Sequence, residues 1–319
     1  MSAALSEESL PPPTPDLPGI EVEGLRRAFG DVEAVADVSF TAPAGAVTAL
    51  IGPNGSGKTT VLLMLTGLLA PDSGQARVAG FDVVTQNLLA RQQVGWMPDV
   101  FGTWDALTCS EILSTFAHAY GVSRAETAQR VEQVLNLVHL SEFARRPARV
   151  LSRGQKQRLG LARALVHDPA VLLLDEPASG LDPRSRMELR ALLRDLAGAG
   201  KTVVVSSHVL AELEDLCDEA VFLSRGRTVE VAMHASAQAP LRGWRIDALE
   251  PAELRAFLSD AGIPWQPASG TEVTVPLSGA ESATELIRAA VAAGVSLHTV
   301  APVSGRLEDA YLSLNEERI

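Results

Sequence analysis

Residues 52–59 read Gly-Pro-Asn-Gly-Ser-Gly-Lys-Thr, the G-x-x-x-x-G-K-[ST] spacing of a loop that wraps phosphate. The chemistry follows from the residue types. Glycines let successive backbone N–H groups turn inward on an anion, and a helix starting at the loop's end adds partial positive charge. Lys58 has the reach for β- and γ-phosphates, and the Thr59 hydroxyl is an oxygen donor for Mg²⁺. A second group lies far along the chain. Ala170-Val171-Leu172-Leu173-Leu174 is a nearly continuous apolar run that ends in Asp175-Glu176. Carboxylates at the C-terminal tip of a buried parallel strand sit where doubly wound folds place ligand chemistry. Asp175 suits the Mg²⁺ shell, and Glu176 suits orienting or deprotonating water. His208 follows the β-branched run Thr202-Val203-Val204-Val205-Ser206 in the same way.

Two further residues carry a chemical reading. Ser152 is a natural N-cap for the helix that begins near Arg153. That helix start carries Arg153, Lys156 and Arg158. Cations there oppose the helix dipole, which is tolerable where an anion binds. Phe29 falls between two strand-like runs, and its ring can stack on an adenine or pack in the sheet. His118 and His139 lie on helical patterns and read as surface or packing residues.

The elements needed to position these residues are legible on either side. Ala46–Ile51 reads as a buried strand and Thr60–Leu69 as the helix after the loop, stopped by Pro71 and Gly74. Ile20–Leu25 and Val38–Ala42 alternate like strands, Arg77–Val83 reads as a strand and turn, and Val94–Met97 as a short strand. From Leu107 to Leu140 the apolar spacing becomes helical, with Ser123 and Glu126 opening a second helix. A helix over Arg184–Ala197, another over Leu210–Leu216, and a hairpin around Arg225-Gly226-Arg227 complete this part. Residues 244–319 read as strand, helix, strand, helix, strand, the second helix starting at Ser282.

Composition bounds the function. Of 319 residues, 46% are apolar and 21% charged, which is ordinary for a globular chain. The net charge of −12 argues against general affinity for nucleic acid or anionic lipid. Cys109 and Cys217 stand far apart and form no C-x-x-C pattern, so neither a disulfide framework nor a zinc site is expected. No apolar run reaches about 18 residues. The Pro-, Ser- and Glu-rich start lacks the pattern of a signal peptide and reads as a disordered tail. A cytosolic protein is expected.

Taken together, residues 20–231 resemble the nucleotide-binding domain of ABC transporters. The likeness rests on six motifs in order: Gly52–Thr59, Val94–Asp99, Leu151–Gln155, Asp175-Glu176, Ser179–Asp182 and His208. It implies an α/β fold with a phosphate-loop NTPase core, an antiparallel β subdomain and a helical insert over about 100–165. A linker over 232–243 and a small C-terminal α+β domain over 244–319 follow a tail over 1–19. The resemblance implies ATP held by Phe29, Gly52, Pro53, Asn54, Gly55, Ser56, Gly57, Lys58, Thr59 and Thr60. The signature residues Ser152, Gly154 and Gln155 and the loop residue Asp182 of a second copy would close over it. Mg²⁺ would be held by Thr59 and Asp175, with Glu176 as general base and His208 on the γ-phosphate. Two departures stand out. Arg153 replaces a usual glycine, and Asp99 stands where glutamine is usual. Asp99 would add a third acid to the metal site.

The ending Leu307-Glu308-Asp309-Ala310-Tyr311-Leu312 is similar to that of ABC-2 type exporter ATPases. The resemblance therefore implies a head-to-tail homodimer that powers export through a separate transmembrane permease, held at the inner face of the cell membrane. An import ATPase and a soluble, non-transport ATPase are the alternatives. The latter usually carries tandem nucleotide domains or a long coiled coil, which are not seen here.

Overall fold

The computed structural model describes residues 19–100, 102, 104–213, 216–229, 242–268 and 270–303. The expected tail, most of the expected linker and the segment Leu307–Leu312 lie outside the described residues. The chain divides into two compact units, Met1–Glu230 and Val231–Ile319.

In the first unit the elements run β1 (Ile20–Phe29), β2 (Val32–Ala42), β3 (Val47–Ile51), α1 (Lys58–Leu65), β4 (Ser73–Val78), β5 (Phe81–Asp82), α2 (Asn87–Gln92) and β6 (Val94–Met97). They continue with α3 (Cys109–Ala119), α4 (Arg124–Leu137), α5 (Arg153–Leu165), β7 (Val171–Asp175), α6 (Pro183–Gly198), β8 (Thr202–Ser207), α7 (Leu210–Leu213), β9 (Glu219–Ser224) and β10 (Arg227–Val229). One ten-stranded sheet runs β5-β4-β1-β2-β10-β9-β3-β8-β7-β6.

Its two halves obey different patterns for a physical reason. β3, β7 and β8 are buried at every position. They pair in parallel with their neighbours, as strands covered on both faces do. β1, β2, β4 and β5 pair antiparallel with one another, β2 meets β10 in parallel, and β1 alternates buried with open positions near its start. α1 is apolar on every side rather than along one stripe, as a helix enclosed by core must be. Its Val61, Leu62, Met64 and Leu65 join one core with Ile20 and Val38 of the antiparallel half and Leu173 and Val204 of the parallel half. The loop that starts α1 is thereby fixed at the junction of the halves.

The helical insert, α3 and α4, sits between β6 and α5. Thr108 and Glu111 form a reciprocal cap on α3, and Ser123 caps α4 by accepting from Glu126 N–H.

The second unit is β11 (Arg242–Ala248), α8 (Pro251–Asp260), β12 (Gln266–Pro267), β13 (Val273–Leu277), α9 (Ala280–Ala292) and β14 (Leu297–Pro302). Its antiparallel sheet runs β12-β13-β11-β14. This is the βαββαβ, or split-βαβ, arrangement. Ile246, Leu254, Leu258, Val273, Val275 and Leu286 lie in its core. Two expectations are corrected here. A fourth strand, β12, is only two residues long and leaves no periodic trace. Ser282 does not start α9; the helix begins at Ala280 after Gly279, and the Ser282 hydroxyl meets that of Ser278.

Candidate active site

The phosphate loop joins β3 to α1. Gly57 is the N-cap of α1 and takes φ 103°, the left-handed region that glycine tolerates best. A Cβ there would also lie 2.6 Å from the Ala34 carbonyl oxygen. No side chain caps α1, whereas Thr108, Ser123, Ser152 and Asp182 cap α3 to α6. The first N–H groups of α1 are therefore left for an anion. Pro53, Asn54 and Gly55 are exposed, Thr60 is half-buried, and Gly52 is buried against the Leu223 carbonyl.

Ser56 is buried and its hydroxyl oxygen has no hydrogen-bond partner in the protein. Lys58 is only 7% exposed. Its Nζ donates to the carbonyls of Gly52 (2.6 Å) and Pro53 (3.3 Å). Burial lowers its pKa below the usual lysine value, against the opposing pull of Glu176 and Asp175. A buried cation, an orphaned buried hydroxyl and uncapped N–H groups around one glycine cradle fit a polyphosphate.

The acids meet this loop from the neighbouring strands. Thr59 Oγ1 donates to Asp175 Oδ2 at 2.8 Å. Ser206 Oγ donates to Asp175 Oδ1 at 2.5 Å. Glu176 follows β7 with φ 49°, a left-handed conformation costly for a side chain with a Cβ. Its N–H is held by the Ser206 carbonyl (3.2 Å) and hydroxyl (3.0 Å). Its carbonyl accepts from Gln157 Nε2 at 3.4 Å, as does that of Pro177 at 3.3 Å. His208 Nδ1 donates to Glu176 Oε1 at 2.8 Å. Thr59, Asp175, Glu176 and His208 are thus brought together.

Other expected residues stand differently. Ser152 and Gln155 form a reciprocal cap on α5: Gln155 N–H donates to Ser152 Oγ (3.3 Å), and Ser152 N–H to Gln155 Oε1 (2.8 Å). Gly154 is half-buried beside Leu181. Arg153 leans from this helix start onto the 179–182 loop, where its Nη2 lies 3.4 Å from Ser179 Oγ. A Cβ on Gly180 would meet its guanidinium at 2.6 Å. Asp182 caps α6 through the Ser185 N–H and hydroxyl, which hold its carboxyl below the usual range.

Phe29 ends β1 and is 49% exposed, so it is not packed in the sheet; the Arg27 guanidinium lies 5.0 Å from its ring centroid. Asp99 is exposed. Among the described residues no group of three or more His, Cys, Asp or Glu is placed to hold a metal ion. No helix among the described residues is long and apolar enough to cross a membrane.

Sequence reasoning misses Ser206 and Gln157. The available signals are a hydroxyl ending a valine run and, weaker, an uncharged glutamine between Lys156 and Arg158 of α5.

A family model described as ABC transporter matches residues 35–179. The chain is 38% identical over 221 residues to the Nod factor export ATP-binding protein I of Ralstonia nicotianae, covering 68% of this chain and 69% of that one. It is 29% identical over 303 residues to the linearmycin resistance ATP-binding protein of Bacillus subtilis, covering 92% and 97%. A solved dimeric ATP-binding cassette, bound to ADP and Pi in a post-hydrolysis state, superposes with TM-score 0.61 at 25% identity, over 66% of this chain and 97% of that one. The motifs, the sheet that carries them and these likenesses agree, and the chain belongs to the ATP-binding proteins of ABC transporters, which bind ATP and act as ATPases.

Proposed function

We propose that this chain is the ATP-hydrolysing subunit of an exporter whose membrane-spanning permease is a separate chain. The observation that carries the reading is the single run of hydrogen bonds linking Thr59, Asp175, Glu176 and His208 beside buried Lys58. The direction of transport is supported by relatives named for export and for linearmycin resistance.

Each residue has a task. The backbone of 52–60 and Lys58 bind the phosphates, and Phe29 stacks on adenine. The Thr59 hydroxyl and Asp175 carboxylate are hard oxygen donors already in contact, a donor set that suits Mg²⁺. When bound, Mg²⁺ supplies neutralisation of the phosphate charge. Glu176 takes the proton of the attacking water, and His208 orients Glu176 and reaches the γ-phosphate. Two copies pair head to tail. Ser152, Gly154, Gln155 and the start of α5, which has no acid in its first turn, in one copy cover the nucleotide of the other, with Asp182 anchoring the adjoining loop. Arg153 adds positive charge at that face. Asp99, exposed just after β6, would add a third carboxylate near Asp175 and Glu176. The dimer works at the inner face of the membrane through the permease.

The test uses Glu176→Gln. Removing a general base costs about 10²–10⁴-fold, so hydrolysis should fall by at least about a hundredfold while ATP binding persists and dimers accumulate. Turnover at the parent rate would remove Glu176 from the base role. The same variant, purified with ATP from detergent-solubilised membranes, should bring down a polytopic membrane protein. Recovery of ribosomal or DNA-repair proteins alone would overturn the transport reading and leave the ATPase standing.

A further inference from the structure

We propose that Ser206 is a positioning residue that ties the Asp175 carboxylate to the backbone of Glu176, so that the metal site and the base move as one unit. This inference rests on the roles given above to Asp175 and Glu176.

The tie is built into strand register. Ser206 on β8 is the direct cross-strand partner of Asp175 on β7. It is 0% exposed. A hydroxyl has one hydrogen to donate and two lone pairs to accept with. Ser206 donates its hydrogen to Asp175 Oδ1 at 2.5 Å and accepts the Glu176 N–H at 3.0 Å. Both partners of this buried side chain are therefore groups of the two acids. The bland alternative is a serine that merely fills the strand. The three residues before it are valines, buried equally well in the same strand, so packing alone does not call for a hydroxyl.

The two oxygens of Asp175 are held in unequal ways. Thr59, which holds Oδ2, is exposed and sits at the start of α1, where a metal and phosphate would recruit it. Ser206, which holds Oδ1, is sealed from solvent and has already committed its hydrogen. It is the fixed side of the carboxylate. The same hydroxyl helps hold Glu176 at φ 49°, a conformation that persists only where the surroundings impose it. Partners that orient a metal ligand from behind typically change metal affinity or activity by about 10–100-fold when lost.

The test compares Ser206→Thr with Ser206→Val. The two side chains have the same shape, and only the first keeps a hydroxyl. Mn²⁺ affinity of the ATP-loaded protein is read by electron paramagnetic resonance, and kcat and KM for ATP are measured with Mg²⁺. Ser206→Val should bind Mn²⁺ about tenfold more weakly than Ser206→Thr and turn over about tenfold more slowly. KM for ATP should agree within about twofold between them, because the phosphate loop is untouched. Equal Mn²⁺ affinity and equal kcat in the two variants would overturn the proposal. Ser206→Ala, which only removes an atom, is read against the parent in the same way should a larger side chain fail to fold. Asp175→Asn separates the claims. Unchanged Mn²⁺ affinity there would sink the metal assignment itself, whereas its loss, with valine equal to threonine at 206, would sink the tie alone.

Discussion

Among the described residues each unit buries one carboxylate among hydrogen-bond donors. In the first, Asp175 accepts from the hydroxyls of Thr59 and Ser206. In the second, Asp247 accepts from Thr271 Oγ1 at 3.1 Å and from the Ala248 N–H at 3.0 Å, and His298 Nε2 lies 3.4 Å away. As isolated acids the two look alike. Their surroundings do not. Beside Asp175 stand a buried lysine, an orphaned buried hydroxyl and a glutamate in a left-handed conformation. Among the described residues every non-glycine positive φ falls in the first unit. Asp247 sits in a small split-βαβ unit with an apolar core of its own. A buried, satisfied acid therefore does not make a site. Several local rules broken at one point do, because each break has a cost that a ligand can offset.

The largest expected effect tests that contrast directly. Asp175→Asn should lower ATP turnover by on the order of 10²–10³-fold, the several kcal/mol that a well-placed metal contributes. Asp247→Asn should leave turnover within about twofold and reduce the stability of the second unit by roughly 1 kcal/mol. A large loss of turnover from Asp247→Asn would erase the distinction. Lys58→Ala sharpens it from the cation's side. Two charge-assisted hydrogen bonds at about 1.5–3 kcal/mol each amount to at least about a hundredfold in ATP affinity, measurable by equilibrium binding.

The second unit should stand or fall by its own core. Leu258 is fully buried there, so Leu258→Ala should cost about 2–5 kcal/mol. Calorimetry should show the transition of this unit shifted down. ATP should raise the other transition, because a ligand stabilises the unit that binds it. A single transition raised as a whole by ATP would show that the units unfold together.

These contrasts also mark what sequence can convey. The phosphate loop, the acids and His208 are legible because each is a contiguous motif at the end of a recognisable strand. The buried strands are legible from their β-branched and apolar runs. Ser206 and Gln157 are not, because their meaning comes from register and from helix-to-loop contact across 31 and 19 residues. The order of strands in the second unit is likewise a tertiary fact, and the two residues of β12 are too few to show a period. Phe29 is legible as an aromatic between two strand-like runs, but that β1 extends to include it, and its exposure at the end of β1, are tertiary facts.

Acid should separate the units next. His167 is buried, its ring stacked on Tyr120 with centroids 3.7 Å apart and its Nε2 3.1 Å from the Val94 carbonyl oxygen. Burial pushes its pKa down to about 4. The unfolded chain binds a proton below about pH 6.5 that the folded chain refuses until about pH 4. Stability from this group is therefore complete above pH 6.5 and falls as pH is lowered through that window, by about 2 kcal/mol at pH 5. Denaturant titrations at pH 7 and pH 5 should place that loss in the first unit's transition. His167→Phe should be less stable at pH 7 but should lack this share of the pH dependence. An undiminished pH slope in the variant would assign it elsewhere.

The smallest effect probes one arrangement that both units share. Arg27 lies 5.0 Å from the ring centroid of Phe29, and Arg255 lies 6.0 Å from that of Trp265. Trp265 packs against the core of its unit, so its ring is already committed. Phe29 is half exposed, and Arg27 is itself tied to Asp72 at 2.6 Å. A ring steadied from one side and open on the other is a platform for a flat partner. Stacking of a base on an aromatic ring is worth about 1–3 kcal/mol. A half-exposed ring belongs at the lower end of that range, so Phe29→Ala should weaken ATP binding by about five- to tenfold, while Phe29→Tyr should keep it. Turnover at saturating ATP should not change in either variant, because the ring touches no phosphate. Trp265→Ala should leave ATP affinity alone and lower only the second unit's transition. Parent-like affinity in Phe29→Ala would remove the adenine contact and reduce Phe29 to a surface ring held by Arg27.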